Sequence, residues 1–185
     1  MRYPGVSIDC RENRSVNLLT RYLAAAVAWC IFATSPATAG SPEEDFRTGL
    51  SAFNSGDFAA AMRLWRPLAD GNDARSQAGI GFMYHRGLGV KTDDAQAAFW
   101  LRKAAEQGQA EGQMMLGSLY FFGLGVPQSY ATAYAWCELA QDNGQAEAQI
   151  CRDAALESLT EDAQRRDAFR MLREFRERFG RGRSQ

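Results

Sequence analysis

Apolar residues recur along the chain at spacings that fit one side of a helix. Ala97, Trp100, Leu101 and Ala104 stand at i, i+3, i+4 and i+7, and residues 133–140 repeat the same pattern. This spacing is typical of an amphipathic α-helix whose apolar stripe packs against a neighbour. The chain is therefore expected to be built from packed helices.

The helical pattern also repeats at a fixed step. Residues 80–90, Ile-Gly-Phe-Met-Tyr-His-Arg-Gly-Leu-Gly-Val, return at 116–126 as Leu-Gly-Ser-Leu-Tyr-Phe-Phe-Gly-Leu-Gly-Val, a displacement of 36 residues. A period of this length marks stacked helix-turn-helix units, each of which buries the apolar side of the next. The sequence therefore predicts an all-α fold, an α/α solenoid of about three helix pairs.

Turn and capping residues place the helices within each unit. The first helices are expected at 74–84 and 110–120, where each ends at a glycine pair that accepts a left-handed backbone. Pro67 is expected to kink or shorten the second helix of a shortened first unit, because proline removes a helix hydrogen bond. The second helices are expected to begin at good N-cap residues, namely Asp57, Asp93 and Ser129.

The segment after the last full repeat is expected to cap the stack. Residues 146–158 continue as a first helix, and Thr160 is expected to cap a final helix with one apolar face. The other face of that helix is rich in arginine, as a solvent-facing terminal cap requires. Residues 146–180 are thus interpreted as capping helices and 181–185 as a disordered tail. The apolar face consists of Ala168, Met171, Leu172, Phe175 and Phe179.

These residues resemble the Sel1-like repeat family, a relative of the tetratricopeptide repeats. Two copies match well, at 73–109 and 110–145, and a degenerate copy occupies 40–72. The departures are Ser76 and Gly112, where the family has alanine, and Asp94, where it has an aromatic residue. The resemblance implies a helical solenoid that binds a protein or peptide on its concave face.

The first 39 residues read as a secretory signal peptide. Arginines precede a short apolar stretch, Leu23 to Ala33, and Ala37-Thr38-Ala39 provides small residues for cleavage after Ala39. The apolar stretch is too short for a permanent membrane anchor. Residues 1–15 fit no targeting element, and translation from Val16 would give a signal of ordinary length. The chain is therefore expected in the periplasm or secreted.

Two cysteines remain after removal of residues 1–39. Cys137 and Cys151 each lie seven residues from Gly144, the expected turn between two helices. They should therefore stand at the same height across a helical hairpin, and an exported protein meets oxidising conditions. The sequence leaves two alternatives, a disulfide or two buried free thiols.

Charge and composition argue against several other functions. The net charge of −1 gives no general attraction to nucleic acid, and acidic residues are interleaved with the C-terminal arginines. The only histidine is His85, and no cysteine pair has zinc-finger spacing, so neither a metal site nor a nucleophilic triad is expected. The glycine pairs end helices, whereas a phosphate-binding glycine loop opens one. No cofactor is expected.

Candidate binding residues lie at positions of the first helices that the repeat leaves free. Aromatic and methionine side chains exposed on such a wall are typical binding anchors. The alternative is that Phe82 and Met114 fill the core. Phe121 and Phe122 are the stronger candidates, because two successive helix residues cannot both point inward. The candidate residues are Phe82, His85, Met114, Ser118, Phe121 and Phe122.

Three functions are compatible with this pattern. The first is a monomeric, non-catalytic scaffold that binds a protein or peptide of the bacterial cell envelope, as the resemblance implies. The second is β-lactam binding or hydrolysis, which has been linked to cysteine-rich relatives. Those relatives resemble a different pattern, with a cysteine pair in every repeat, and this chain has none in its first two repeats. It also lacks a Ser-x-x-Lys nucleophile motif. The third is contact with the cell wall or a polysaccharide.

Overall fold

The computed structural model describes residues 40–180, and within them the chain forms eight α-helices and no strand. The expectation of an all-α repeat fold is confirmed. The expected signal peptide, residues 1–39, and the expected tail, 181–185, lie outside the described residues. In chain order the helices are α1 (Pro42–Asn54), α2 (Phe58–Asp70), α3 (Ala74–Arg86), α4 (Asp94–Glu106), α5 (Ala110–Phe122), α6 (Tyr130–Asp142), α7 (Ala148–Ser158) and α8 (Asp162–Phe179).

The helices from α1 to α7 pack as a row in which each helix contacts the next along the chain. The last helix, α8, packs on α6. The buried apolar side chains form three layers, each shared between successive helix pairs. The first layer centres on Trp65, the second on Leu101 and Trp136, and the third on Tyr134 and Leu172. Each repeat therefore buries the apolar stripe of its neighbour, as a solenoid requires.

The first helix pair differs from the others in its loop. Three residues join α1 to α2, whereas seven join α3 to α4 and seven join α5 to α6. Equivalent positions in the first helices therefore lie 32 residues apart between α1 and α3, and 36 residues apart from there on. The expected shortening of the first unit is thus confined to its loop.

Of the two expected effects of Pro67, a kink or an early end of α2, the early end is wrong, because α2 has 13 residues like α4 and α6 and continues to Asp70. Pro67 lies on the exposed side of the last turn, where its ring has room and the missing N–H costs one hydrogen bond. Burial of Ala61, Trp65 and Ala69 along the opposite side of α2 holds the helix together.

Caps define the helix ends as the sequence indicates. The carboxylates of Asp57 and Asp93 accept the backbone N–H three residues on, as does the hydroxyl of Ser129. Gly87 and Gly123 end α3 and α5 with φ of 69° at each, in the left-handed region that favours glycine. These helices run two residues beyond the expected tyrosines, to Arg86 and Phe122.

Two expected boundaries of the C-terminal cap are corrected. The capping residue of α8 is Glu161 and not Thr160, since the helix begins at Asp162. The Glu161 N–H donates a 3.4 Å hydrogen bond to the side chain of Gln164. The preceding helix, α7, begins at Ala148, two residues later than expected. Arg176 of α8 donates hydrogen bonds to Asp142 (2.7 Å) and Glu138 (3.2 Å) of α6. The arginine face of α8 is thus partly engaged in ion pairs.

Candidate binding groove

The same helix positions line one side of the molecule in successive first helices. The first position is Phe46 in α1 and recurs as Ala78, Met114 and Ile150. The second is Leu50 and recurs as Phe82, Ser118 and Ala154. The third is Phe53 and recurs as His85 and Phe121. All eleven side chains line surface clefts. We call this row of clefts the groove.

Three clefts make up the groove. The N-terminal cleft, of ≈ 530 Å³, lies between α1, α3 and the start of α5, and the central cleft, of ≈ 240 Å³, lies mainly between α3 and α5. The C-terminal cleft, of ≈ 320 Å³, lies between α5 and α7. Phe82 lines both the N-terminal and the central cleft, and Ser118 and Phe122 line both the central and the C-terminal cleft. The clefts therefore follow one another without a break.

Large apolar side chains are left in contact with solvent along the groove. Phe122 is 65% exposed and Ile150 is 78% exposed on the two sides of the C-terminal cleft. Leu50 of the N-terminal cleft is 42% exposed. Apolar side chains clustered in a cleft in this way are typical of binding surfaces.

Charged groups differ from one cleft to the next. The N-terminal cleft contains Arg75, whose guanidinium lies 4.1 Å from the ring centre of Phe46. Arg75 also binds Glu43 at 2.9 Å, and this hydrogen bond is the largest influence that lowers the pKa of Glu43. Glu147 is the only charged residue that lines the C-terminal cleft within the described part of the chain.

His85 and Asp94 form a polar pair at the centre of the groove. The Nδ1 atom of His85 lies 2.7 Å from Oδ1 of Asp94, and both side chains are partly buried. The imidazole is thus oriented by a carboxylate, with its Nε2 atom free of this bond.

A disulfide joins the two cysteines on the C-terminal side of the groove. Cys137 of α6 and Cys151 of α7 have Cα atoms 5.9 Å apart. Cys137 is fully buried and occupies the position of Leu101 in the preceding repeat, where it faces Gly117 as Leu101 faces Gly81. Cys151 lines the C-terminal cleft. The bond thus ties one side of that cleft to the buried layer.

A family model for the Sel1 repeat matches residues 74–109 and 110–145. The crystal structure of a Sel1 repeat protein from Oxalobacter formigenes is 32% identical, and the match covers 64% of this chain and 92% of that one with a TM-score of 0.56. The chain belongs to the Sel1 repeat family. No curated protein matches it.

A longer solved structure also resembles this Sel1 repeat protein. It is the crystal structure of a protective antigen present in uropathogenic Escherichia coli strains, which displays an SLR fold. It is 30% identical with a TM-score of 0.73, and the match covers 78% of this chain and 32% of that chain. The present chain therefore spans about a third of that relative.

In the present Sel1 repeat protein, all six candidate binding residues expected from the sequence line the groove. Phe82 packs against Phe53, with ring centres 6.0 Å apart. Phe121 is half-buried against Tyr130 at 5.3 Å, while the adjacent Phe122 points to solvent. The hydroxyl of Ser118 donates to the Met114 carbonyl at 3.1 Å. Ala78, which occupies the position of Met114 in the preceding repeat, is buried.

Sequence reasoning missed the groove residues outside the two clearest Sel1 repeats. Ile150 and Ala154 lie 36 residues after Met114 and Ser118, so one further step of the repeat identifies them. Phe46 and Leu50 were hidden by the shorter first loop, which changes the step to 32 residues. The sequence therefore contained the signal for all four residues, but Phe46 and Leu50 can be identified only when the length of the first loop is known.

Sequence reasoning also missed a buried glutamine in each of the two Sel1 repeats. Gln77 donates to the Ala69 carbonyl at 2.9 Å and accepts from Gln107 at 2.7 Å. Gln113 repeats both bonds, to the Ala105 carbonyl and from Asn143. An identical polar residue at the repeat step inside a helix was the available signal.

Residues 40–180 also bear on two other kinds of site. In that part of the chain, no group of three or more His, Cys, Asp or Glu side chains is placed to hold a metal ion. None of the described helices has both the length and the apolar character needed to span a membrane.

Proposed function

We propose that this Sel1 repeat protein is a non-catalytic, monomeric scaffold that binds a protein or peptide of the bacterial cell envelope in the groove. The observation that carries the proposal is the alignment of the same three helix positions into one open row of clefts. Phe122 and Ile150 expose most of their apolar surface there, at 65% and 78%. The free energy falls when a partner covers such side chains and removes them from water.

The length of the groove suits a short peptide segment. Packed helices lie about 8–10 Å apart, so a row of four first helices spans roughly 25–30 Å. An extended peptide rises about 3.3 Å per residue, so about eight residues would cover this distance. A segment of this size, with apolar side chains spaced to enter the clefts, is the occupant that the groove fits.

Site-specific crosslinking in intact cells tests the proposed surface. A photo-reactive amino acid would replace Phe122 or Ile150 in the groove, or Phe99 on α4 outside it. Phe99 is the matched control because it is also an exposed apolar residue, at 50%. We expect the same crosslinked partner from positions 122 and 150 and none from position 99. Equal crosslinking from all three positions would contradict a role for the groove.

Location in the envelope rests on the signal-like pattern of residues 1–39 and is supported by the paired cysteines, because disulfides persist in oxidising compartments. N-terminal sequencing of the protein from the periplasmic fraction and the medium tests it. We expect a mature chain that begins at Gly40. A cytosolic chain that retains residues 16–39 would contradict export.

Two measurements on the purified protein separate a scaffold from its competitors. Turnover of nitrocefin would show a β-lactam hydrolase and contradict the proposed scaffold. Co-sedimentation with purified peptidoglycan would favour a wall-binding module instead. We expect neither. Light scattering is expected to give the mass of one chain, and a dimer mass would contradict the proposed monomer.

A further inference from the structure

One contact recurs in the first three helix pairs, and its chemistry changes in the second. The residue at the third groove position contacts the first residue of the following helix. In the first pair this contact is Phe53 with Phe58, at 5.4 Å between ring centres, and in the third pair it is Phe121 with Tyr130, at 5.3 Å. In the second pair both partners are changed, to His85 and Asp94.

The paired change places polar groups where the repeat otherwise has an apolar contact. Aromatic residues fill the same two positions in the first and third pairs, so the stacking of helix pairs does not in general require a polar pair there. The pair lies beside the central cleft, which His85 lines. The polar pair therefore alters what the middle of the groove can bind.

Arg86 supplies the positive charge of the central cleft. Arg86 lines it beside His85, and no acidic side chain of the described residues does. Within residues 40–180, Arg86 forms no ion pair, whereas Asp94 is occupied by His85. A guanidinium pairs with a carboxylate through two parallel hydrogen bonds. The Nδ1 atom of His85 is engaged with Asp94, so Nε2 is the ring nitrogen left for a ligand.

We infer that the central cleft selects a carboxylate, so that the partner presents an aspartate or glutamate flanked on both sides by apolar side chains. This inference rests on the proposed function, because the flanking side chains occupy the N-terminal and C-terminal clefts. A lysine or arginine at the central position is repelled by Arg86. A neutral side chain leaves the guanidinium without a charged partner.

A peptide library panned against the full chain tests the inference. We expect enriched peptides to carry Asp or Glu between apolar residues. One enriched peptide is then synthesised with its acidic residue and with the matching amide, and the affinity of each is measured by fluorescence anisotropy. The acidic form should bind about tenfold more tightly, the effect of one charge-assisted hydrogen bond.

Two variants locate the preference. Arg86→Gln changes an exposed residue and should abolish the difference between the acidic and amide peptides. His85→Phe with Asp94→Tyr restores the aromatic pair of the third repeat, and should keep binding while reducing the difference to about threefold or less. Equal affinity of the two peptides for the unchanged protein would overturn the inference, as would a full preference in either variant.

The failure of the proposed function gives a different result. Ile150→Asp places a charge in the C-terminal cleft and leaves the residues of the central cleft unchanged, so it should weaken both the acidic and the amide peptide. Peptides that bind without any effect of Ile150→Asp occupy a surface other than the groove, which would overturn the proposed function itself. Peptides that need Ile150 but show no acidic preference would overturn only the inference about the central cleft.

Discussion

The buried glutamines show how one residue links two neighbouring repeats. Gln113 is fully buried in α5, where its amide donates to the Ala105 carbonyl of α4 at 3.0 Å and accepts from Asn143 at the end of α6 at 2.8 Å. Buried polar groups are expensive when they lose their hydrogen bonds. A single side chain therefore fixes the relative height of three helices.

Replacement of Gln113 by leucine should destabilise the protein strongly. The variant removes two buried hydrogen bonds, to the Ala105 carbonyl and from Asn143, which should lower the free energy of unfolding by about 3 kcal/mol. Urea denaturation followed by circular dichroism measures the change. Gln149 is the matched control because it stands 36 residues further on but is exposed. Gln149→Leu should change stability by less than about 0.5 kcal/mol, and equal losses in the two variants would contradict this account.

Asp73 gives a pH-dependent contribution at the start of α3. Burial acts most strongly on the Asp73 pKa and raises it, but hydrogen bonds from Ser76 and Arg75 outweigh burial, so the pKa is lowered from its ordinary value of 3.8. Because the folded-state pKa is below the unfolded value, this stability is present above the unfolded pKa and is lost as pH falls through the folded pKa.

An Asp73→Asn variant tests this dependence. Asparagine is also a good N-cap, so the variant keeps the cap and loses only the charge. At pH 7 we expect the variant to be less stable than the unchanged protein, and we expect this difference to disappear in acid, below the ordinary pKa of 3.8. Thermal unfolding of both proteins from pH 3 to pH 7 measures it. A difference that stays constant over this range would contradict the assignment.

At the scale of the helices, sequence reasoning succeeded where a local rule is strong. The N-caps at Asp57, Asp93 and Ser129 and the left-handed glycines could be predicted because each satisfies a backbone requirement within a few residues. The continuation of α2 through Pro67 could not, because it depends on side chains such as Trp65 that pack against other helices. Tertiary burial outweighed the local preference there.

The disulfide holds α7 to α6, and its loss should loosen the C-terminal cleft. The bond closes a segment with a sequence separation of 14, for which loop closure predicts a stabilisation of about 3 kcal/mol. Urea denaturation with and without reductant should show this loss in the unchanged protein. Cys137→Ala with Cys151→Ala is the control, and should show no effect of reductant. Two alkylatable thiols in protein purified without reductant would exclude the bond.

At the scale of the whole molecule, the solenoid is closed at one end by α8. Trp136 of α6 lies 4.5 Å from Phe175 and 5.3 Å from Phe179, measured between ring centres. Arg176 binds two acidic residues of α6 on the same side. The apolar face of α8 was readable from the sequence, but its contact with α6 was not, because helical spacing identifies a face without identifying what covers it.

Removal of α8 should therefore expose parts of the second and third buried layers and destabilise the stack beyond the cap itself. A chain that ends at residue 160 loses the cover of Tyr134 and Trp136, and burial of several large side chains at about 1.5–3 kcal/mol each predicts a loss of at least about 4 kcal/mol. Since a repeat gains stability from its neighbour, α6 and α7 should loosen together. Urea denaturation and binding of the dye 8-anilinonaphthalene sulfonate measure both effects. A chain that ends at residue 180 is the control and should match the full chain. A truncated protein that unfolds at the same urea concentration and binds no more dye would show that α8 is not the cap.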